Sequence, residues 1–372
     1  MELRVVRGEE EFQQVKPQWD ALVASLTPTP LPMTHAWLVA WWRAFADNMT
    51  MEFRCVFDNG CLVGIAPLVR SRESYRGIPV TLLKLAANGH SPFSSIVVDA
   101  SLTPGQRDEV LALLTAVTSR EIALFFKIGQ DSDLKKFLLD SNKPGHQRVG
   151  EKPSLKTPVI DINQSWDEFY RARPRSLKKS LNNKLNRFRR DDGFTIEQEW
   201  ITDPEQPIVD ELVTISAKSW KTSIGNDLKS NRRSRSFLLN LIESFGRSRT
   251  LSAWIVRHRG KPVAFELHIV CDDVVYPIRA DYDEAFKAFS PGSVLEYSAL
   301  KSLFEQGQYR QYYTCADDYW YLSNWTHNYR NLCSIELFGD SLKLRLLYFA
   351  EYRLIPLIKR FIHVKRTSRR PA

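Results

Sequence analysis

The spacing of apolar residues divides the chain into short strands and helices, which follow a similar order in its two halves. In the first half, alternating or continuous apolar runs predict strands at 3–6, 52–57, 62–69, 80–86, 95–98 and 122–127. Apolar residues at helical spacing predict helices at 10–24, 35–45, 104–118 and 131–139. We expect the aromatic face of the second of these helices to be buried.

The second half begins with a helix-capping pattern from Ser165 to Glu168 and a long basic helix that ends near Arg190. One side of that helix is an apolar stripe formed by Leu177, Leu181, Leu185 and Phe188. The pattern then predicts strands at 194–200, 251–258, 262–270, 274–280 and 309–314. It predicts helices at 207–219, at 235–245 and from 294 onward.

Two hairpin turns indicate that the halves are related. Asn59-Gly60 and Arg259-Gly260 each separate two strands, and the segments 59–65 and 259–265 align residue for residue. Both hairpins precede helix–strand units, which is typical of a duplicated α/β module. The polar stretch 141–153 looks like a surface connection between the two modules.

Composition favours a folded protein without metal or disulfide bridges. The chain has 372 residues, of which 43% are hydrophobic and 12% aromatic. Its start lacks the apolar core of a signal peptide and no apolar run is long enough to span a bilayer, so we expect a cytoplasmic protein. The five cysteines lack zinc-site spacing. Cys55 is predicted to face Gly64 across the first hairpin rather than Cys61, which excludes a bridge between the two thiols.

The net charge of +9 comes from two patches. Residues 171–190 contain nine Lys or Arg and no acid, and residues 343–372 contain nine against the single acid Glu351. Three interpretations stay open for these patches: a solvated helix face, attraction to anionic lipid headgroups, and contact with nucleic acid. No recognised RNA-binding module accompanies them.

A strand-to-helix connection near the end of the second half is a candidate anion site. The turn Ser290-Pro291-Gly292-Ser293 leads from a strand into the helix that continues past Val294. A helix start leaves backbone N–H groups unpaired and carries partial positive charge, which suits a phosphate or the pyrophosphate of coenzyme A. An ordinary capped helix start is the alternative.

The sequence resembles a known family in four segments, 37–45, 62–68, 251–267 and 282–295. These are similar to the GNAT-type acyltransferases of the CelD/BcsL group, which are associated with bacterial exopolysaccharide or cellulose gene clusters. The resemblance implies an α/β (α+β) fold of two tandem GNAT-like modules like that of FemABX transferases, each a mixed, mostly antiparallel sheet flanked by helices. It also implies acyl-CoA, such as acetyl-CoA, as co-substrate. The usual pyrophosphate loop, Gln/Arg-x-x-Gly-x-Gly/Ala, is replaced here by Ser290-Pro-Gly-Ser293.

The three consecutive strands 251–280 suggest where the chemistry lies. If Asp272-Asp273 is the turn, Glu266 faces Arg279, Ala264 faces Asp281, and the pleat places Glu266, His268, Arg279 and Asp281 on one face. Acyl transfer to an amine needs a base, for which Glu266 is the first candidate and Asp281 the second. Arg279 would orient Glu266 and lower its pKa. A cross-strand ion pair on a solvated sheet is the alternative.

Acceptor-binding residues are predicted at two places. His90 lies in a turn-rich loop that could line a cleft between modules. Asp317, Asp318 and Tyr321 belong to an aromatic, acidic segment that resembles a sugar-binding wall or, alternatively, a packed seam between modules. The family resemblance also implies Trp325, with Asp318 and Tyr321, as acceptor-binding residues.

These observations predict three regions: residues 1–155, an N-terminal GNAT-like module; 156–340, a C-terminal GNAT-like module with the acyl-CoA site; and 341–372, a basic amphipathic tail. The predicted function is acyl-CoA-dependent N-acylation of a sugar or polysaccharide precursor, without a metal. Two alternatives are a non-catalytic accessory of exopolysaccharide synthesis, associated with the inner face of the membrane, and a transferase that uses aminoacyl-tRNA. The acceptor, the acyl length and the oligomeric state are not predicted.

Overall fold

A computed structural model describes residues 1–140 and 148–359, with the backbone alone at 153 and 154. The strands are β1 (Glu2–Val6), β2 (Met49–Asp58), β3 (Cys61–Tyr75), β4 (Ile78–Leu85), β5 (Val97–Val98), β6 (Glu121–Gly129), β7 (Val149–Asp161), β8 (Phe194–Trp200), β9 (Leu251–His258), β10 (Lys261–Cys271), β11 (Val274–Tyr282), β12 (Gln311–Tyr313) and β13 (Tyr329–Phe338). The helices are α1 (Glu9–Ala24), α2 (His35–Phe45), α3 (Pro104–Thr115), α4 (Asp133–Leu139), α5 (Trp166–Arg171), α6 (Arg175–Arg189), α7 (Pro207–Ala217), α8 (Arg232–Phe245), α9 (Pro291–Gln306) and α10 (Leu342–Phe349).

The strands form one continuous mixed sheet in the order β1-β2-β3-β4-β6-β13-β7-β12-β11-β10-β9-β8, with β5 paired to β3. Its pairs are antiparallel except for β4 with β6 and β11 with β12, which are parallel. The order reads as two six-strand halves that repeat the same arrangement. The predicted mixed, mostly antiparallel tandem fold is therefore confirmed.

The final strand of each half lies beside the other half. β13 comes from the second half but pairs with β6 as well as with β7, and β7 also pairs with β12. β7 runs across the predicted boundary at 155, so the polar stretch 141–153 ends inside a strand. The division into 1–155, 156–340 and 341–372 stays a prediction. The structure adds that the halves exchange strands: β13 completes the first half of the sheet, and β7 completes the second.

The two repeated hairpins turn in the same way. Asn59 and Gly60 have φ of 48° and 80°, and Arg259 and Gly260 have φ of 50° and 78°. Two successive residues with positive φ form the turn that matches strand twist. Cys55 pairs with Ile65 rather than with Gly64, because the ladder shifts at Val56/Phe57, so that predicted pairing was wrong by one residue.

Apolar packing joins the halves. Trp37 and Trp41 of α2 are buried, as predicted, and Trp37 meets Phe237 of α8 edge-on at 5.3 Å between ring centroids. Residues of both halves share the largest apolar cluster. The α2–α8 contact therefore fixes the first half against the second, which carries the candidate site.

Candidate functional site

The predicted anion loop leads into α9 as the sequence indicated. Ser290 adopts a left-handed conformation with φ of 54°, and Pro291 takes the first helical position, where its missing N–H is no loss. The Ser290 carbonyl accepts hydrogen bonds from the N–H groups of Ser293 and Val294. A Cβ added to Gly292 would meet Tyr282 at 3.7 Å, an ordinary contact, so packing leaves room for a side chain at this one position.

The basic helix α6 lies against this loop. Leu185 and Phe188 pack with Val294 and Leu295 of α9 in one apolar cluster. This contact brings Lys184 to the helix start, where its Nζ donates a hydrogen bond to Ser293 Oγ at 2.9 Å. Arg187, one turn further along α6, donates to the Ala288 carbonyl. Two cations of the basic patch at 171–190 thus border the candidate loop, an association that sequence spacing did not predict.

Glu266 lies on β10 in a buried hydrogen-bonded group. Its Oε1 accepts the phenol proton of Tyr312 at 2.6 Å and lies 2.6 Å from His268 Nε2. Burial, followed by the charge of Glu266, raises the pKa of Tyr312 well above its usual value, so this phenol stays a neutral donor. No hydrogen bond from the described residues reaches Glu266 Oε2, and the residue as a whole is 5% exposed.

The predicted pairing of Glu266 with Arg279 was wrong. The β10–β11 ladder follows the expected register from Cys271–Val274 to His268–Pro277, and then shifts by one residue between His268 and Leu267. Beyond this bulge Glu266 faces Ala280, Leu267 faces Arg279, and Phe265 faces Asp281. Because successive side chains alternate between faces, Arg279 and Asp281 lie on the opposite side of the sheet from Glu266 and His268.

On that opposite side, Asp281 is held in an ion-paired cluster. Arg279 Nε donates to Asp281 Oδ2 at 2.8 Å, and Lys221 Nζ lies 2.5 Å from Oδ1. Arg279 also donates to Ser216 Oγ and to the Asn226 carbonyl. Arg279 therefore does not orient Glu266, and Asp281 has cationic partners on both carboxylate oxygens.

His90 belongs to this second group. Its ring stacks on Phe45 with centroids 5.2 Å apart and lies 5.7 Å from the Phe237 ring. Burial, followed by the charges of Arg279 and Lys221, lowers the pKa of His90 to about 4. The predicted acceptor residue His90 is thus a neutral histidine packed between aromatic rings, apart from the Glu266 group.

Glu296, on α9, is the ionisable residue that the sequence analysis missed. It lies one turn beyond Gly292, and burial, followed by the Glu266 carboxylate, raises its pKa to about 8. A hydrogen bond with Trp325 and the Lys184 ammonium act in the opposite direction. The signal in the sequence was an acidic residue directly beside the apolar stripe of an otherwise amphipathic helix.

Part of the predicted acceptor wall adjoins this carboxyl pair. Trp325 is buried and hydrogen-bonds Glu296. Burial, with a contribution from Glu296, raises the pKa of Tyr321 to about 12, and its ring stacks on Tyr319 at 5.8 Å. Trp320, beside them, is 81% exposed. The predicted residues Tyr321 and Trp325 therefore do come together with Glu266.

The two acidic residues of the wall are exposed and lie at its margin. The charge of Asp317 acts on Lys127, a buried lysine of β6 whose Nζ donates to the Ser91 carbonyl at 3.0 Å. Asp318 hydrogen-bonds Tyr329 of β13. Lys127 is a second residue that sequence reasoning did not single out, and its interaction with Asp317 links the first half of the chain to the margin of the acceptor wall.

The described residues contain no cluster of three or more His, Cys, Asp or Glu arranged to hold a metal ion. Their helices are all too short or too polar to cross a bilayer.

Comparisons with known proteins place these features in a familiar fold. Residues 175–322 match the family model of an acetyltransferase (GNAT) domain, which includes α6, β10 and α9. A sequence search finds no matching curated protein.

Among solved structures, FemX superimposes with a TM-score of 0.56 at 12% identity, covering 94% of this chain and 100% of FemX. The C-terminal domain of a putative lysylphosphatidylglycerol synthetase from Agrobacterium fabrum also gives 0.56 at 12% identity, covering 90% and 96%. A tandem GNAT protein from the clavulanic acid biosynthesis pathway gives 0.50 at 12% identity, covering 90% and 98%. The narrower resemblance to the CelD/BcsL group stays a prediction. Residues 175–322 thus match the model of an acetyltransferase (GNAT) domain, and the fold of the chain is similar to those of FemX and the tandem GNAT protein.

Proposed function

We propose that this protein is an acyl-CoA-dependent N-acyltransferase whose acceptor is an amine on a sugar or polysaccharide precursor. One observation carries the proposal. Lys184 donates to Ser293 at the start of α9, the charges of Lys184 and Glu266 both act on the pKa of Glu296, and Glu266 accepts a hydrogen bond from Tyr312. A donor held at the helix start and an acceptor held at Glu266 would meet along this series of groups.

The start of α9, where the acyl donor would bind, has three sources of positive charge: the helix terminus itself, Lys184 and Arg187. Residues Ser290, Pro291, Gly292 and Ser293 form the helix start, where the Gly292 N–H and the helix dipole would favour an anion. The N–H groups of Ser290 and Ser293 donate to the carbonyls of Lys287 and Ser290, so they are already used within the loop. Lys184 and Arg187 border it, and each adds a full charge. These groups would bind the pyrophosphate of acetyl-CoA, which compensates for the absence of the usual glycine-rich loop.

The carboxyl pair supplies the proton transfers. At pH 7 the raised pKa of Glu296 keeps it mostly protonated. Glu266 Oε2 would accept a proton from the acceptor amine as its nitrogen forms a bond to the thioester carbon. The carbon–sulfur bond then breaks, and Glu296 would return a proton to the leaving thiolate. Tyr312 and His268 hold Glu266 in place through Oε1.

The acceptor end offers aromatic faces beside the carboxyl pair. Tyr319 and Tyr321 stack nearly parallel, and Trp320 projects into solvent. Such surfaces bind the apolar face of a sugar ring, while the exposed Asp317 and Asp318 offer acceptors for its hydroxyl groups. This arrangement supports a sugar-borne amine.

The two other functions proposed from the sequence differ in the ligand they need. A non-catalytic accessory protein would bind no acyl-CoA, and a tRNA-dependent transferase would bind tRNA through phosphate contacts with residues 171–190. The structural likeness to FemX and to the synthetase domain concerns the fold alone. The carboxyl pair beside an anion site favours the acyl-CoA enzyme.

Calorimetric titration with acetyl-CoA tests the proposal. We expect saturable binding at one site, and we expect Lys184→Gln to weaken it about tenfold through loss of one charge–phosphate contact. Lys179→Gln removes the same charge from an exposed position of α6 and should leave the affinity unchanged. Absence of binding at millimolar acetyl-CoA would support the accessory role. Salt-sensitive tRNA binding without acetyl-CoA binding would support the tRNA-dependent transferase.

A further inference from the structure

The helical segment 342–359 exposes an unusual amount of apolar surface. Leu342, Leu346 and Phe349 are 74%, 61% and 56% exposed. Leu354, Leu357 and Ile358 continue the series, each about half exposed. Single exposed apolar residues are normal, but six in one short helical segment mark an interaction surface. We name this set the docking face, and its members are Leu342, Leu346, Phe349, Leu354, Leu357 and Ile358.

Helical geometry places these residues along one side. Leu342, Leu346 and Phe349 follow one another at spacings of four and three, the spacing of neighbours on an α-helix surface. The next member, Leu354, follows after five residues, within a π-helical turn at Ala350–Leu354. A π-turn takes one extra residue per turn, so it returns Leu354 to the side of Phe349 and keeps the docking face continuous.

The opposite side of the same helix is fixed to the body of the protein. Leu344 and Leu347 are buried in a cluster with Phe338. The Tyr352 hydroxyl donates to Glu336 Oε2 at 2.9 Å, and its ring lies where a Cβ on Gly150 would fall, so that only glycine fits there. These contacts hold the helix in place and leave the docking face outward.

Positive charge borders the docking face. Lys343, Arg345, Arg353 and Lys359 are all exposed. The one acid of the segment, Glu351, is paired with Arg76 at 2.7 Å. The chain beyond Lys359 adds five further Lys or Arg and no acid. An apolar stripe flanked by cations is the pattern of a helix that lies in the plane of a membrane surface.

We propose that the docking face binds a bilayer that contains anionic lipid, with 342–359 lying parallel to the surface. The apolar side chains would enter the acyl boundary while the flanking cations meet phosphate headgroups. Charge complementarity favours lipid over a second copy of the chain, because two copies docked through this face would bring like charges together. The segment carries too many charges to span a bilayer.

Vesicle flotation of the full-length protein tests this proposal. We expect the protein to float with vesicles of phosphatidylcholine and phosphatidylglycerol at low salt. Binding to phosphatidylcholine alone, or at high salt, should be at least about tenfold weaker. The double variant Leu346→Glu, Phe349→Glu should lose binding to the anionic vesicles by about tenfold or more.

A matched control separates the docking face from general effects of charge. Leu139→Glu with Ile224→Glu adds the same two negative charges at exposed apolar positions elsewhere, and should float like the wild type. Circular dichroism melts confirm that both double variants are folded. The proposal is overturned if wild type fails to float with anionic vesicles, or if Leu346→Glu, Phe349→Glu floats equally well. It is also overturned if that variant changes only a monomer–dimer equilibrium measured by light scattering.

Discussion

At the scale of single residues, the site depends on two carboxyl groups that share one environment. Glu266 was identified from the sequence because the predicted hairpin register placed it among ionisable side chains on one face, beside the candidate anion loop. Glu296 was not, because one acid in an amphipathic helix normally faces solvent. Only the packing of α9 against β10 brings the two side chains together, and no sequence pattern reports that contact.

The raised pKa of Glu296 makes a prediction about stability. Between its ordinary pKa of 4.5 and about 8, the unfolded chain has lost the Glu296 proton while the folded protein keeps it. The folded state then binds more protons, so stability falls as pH rises through this range. The variant Glu296→Gln cannot lose this proton, so its stability should not fall for this reason. The free energy of unfolding of the variant minus that of wild type should therefore increase by roughly 1–3 kcal/mol from pH 5 to pH 9.

Urea unfolding at both pH values measures this difference. Glu305→Gln is the control, because Glu305 lies on the same helix but forms only an exposed ion pair with Lys301. An equal pH dependence for wild type and Glu296→Gln would show that Glu296 titrates as an ordinary surface acid.

At the scale of elements, the strands and turns were predictable and the register was not. β9, β10 and β11 lie close to where their apolar patterns placed them, and the turn at Asp272-Asp273 is correct. The bulge that moves Arg279 and Asp281 to the other face depends on a single extra residue. Pro277 was the available signal, because proline inside a strand cannot donate to the ladder and often marks a bulge.

The exchanged strand β13 has a consequence for folding. Ile335 of β13 is fully buried among residues of the first half, while β13 also pairs with β7. Ile335→Ala should lower the free energy of unfolding by about 3 kcal/mol, and Ile335→Val by about 1 kcal/mol. Since β13 joins both halves, the loss should appear in both together.

Hydrogen exchange in urea distinguishes the outcomes. We expect amides of the β2–β3 and β9–β10 hairpins to lose protection at the same urea concentration, shifted equally by Ile335→Ala. Loss of protection in β2–β3 while β9–β10 stays protected would show that the halves unfold independently.

At the scale of the whole molecule, the repeated halves have different roles. If the alignment of segments 59–65 and 259–265 is extended, Ala66 is the equivalent of Glu266 and Leu68 is the equivalent of His268. Both first-half residues are buried and apolar. At Gly64 a Cβ would approach Val110 of α3 at 2.3 Å, so the helix closes directly on the strand. The first half therefore has no carboxylate or imidazole at the positions equivalent to Glu266 and His268.

The most direct test of the account compares turnover by Glu266→Gln and Asp281→Asn. Both replace a buried acid on neighbouring strands, but on opposite faces of the sheet. With acetyl-CoA and the best amino-sugar acceptor for wild type, thiol release and product mass give kcat/KM per folded molecule. We predict a loss of about 10²- to 10⁴-fold for Glu266→Gln, since a general base is removed. Asp281→Asn should stay within about fivefold of wild type, because it alters packing rather than proton transfer. Wild-type turnover by Glu266→Gln would contradict the proposed mechanism.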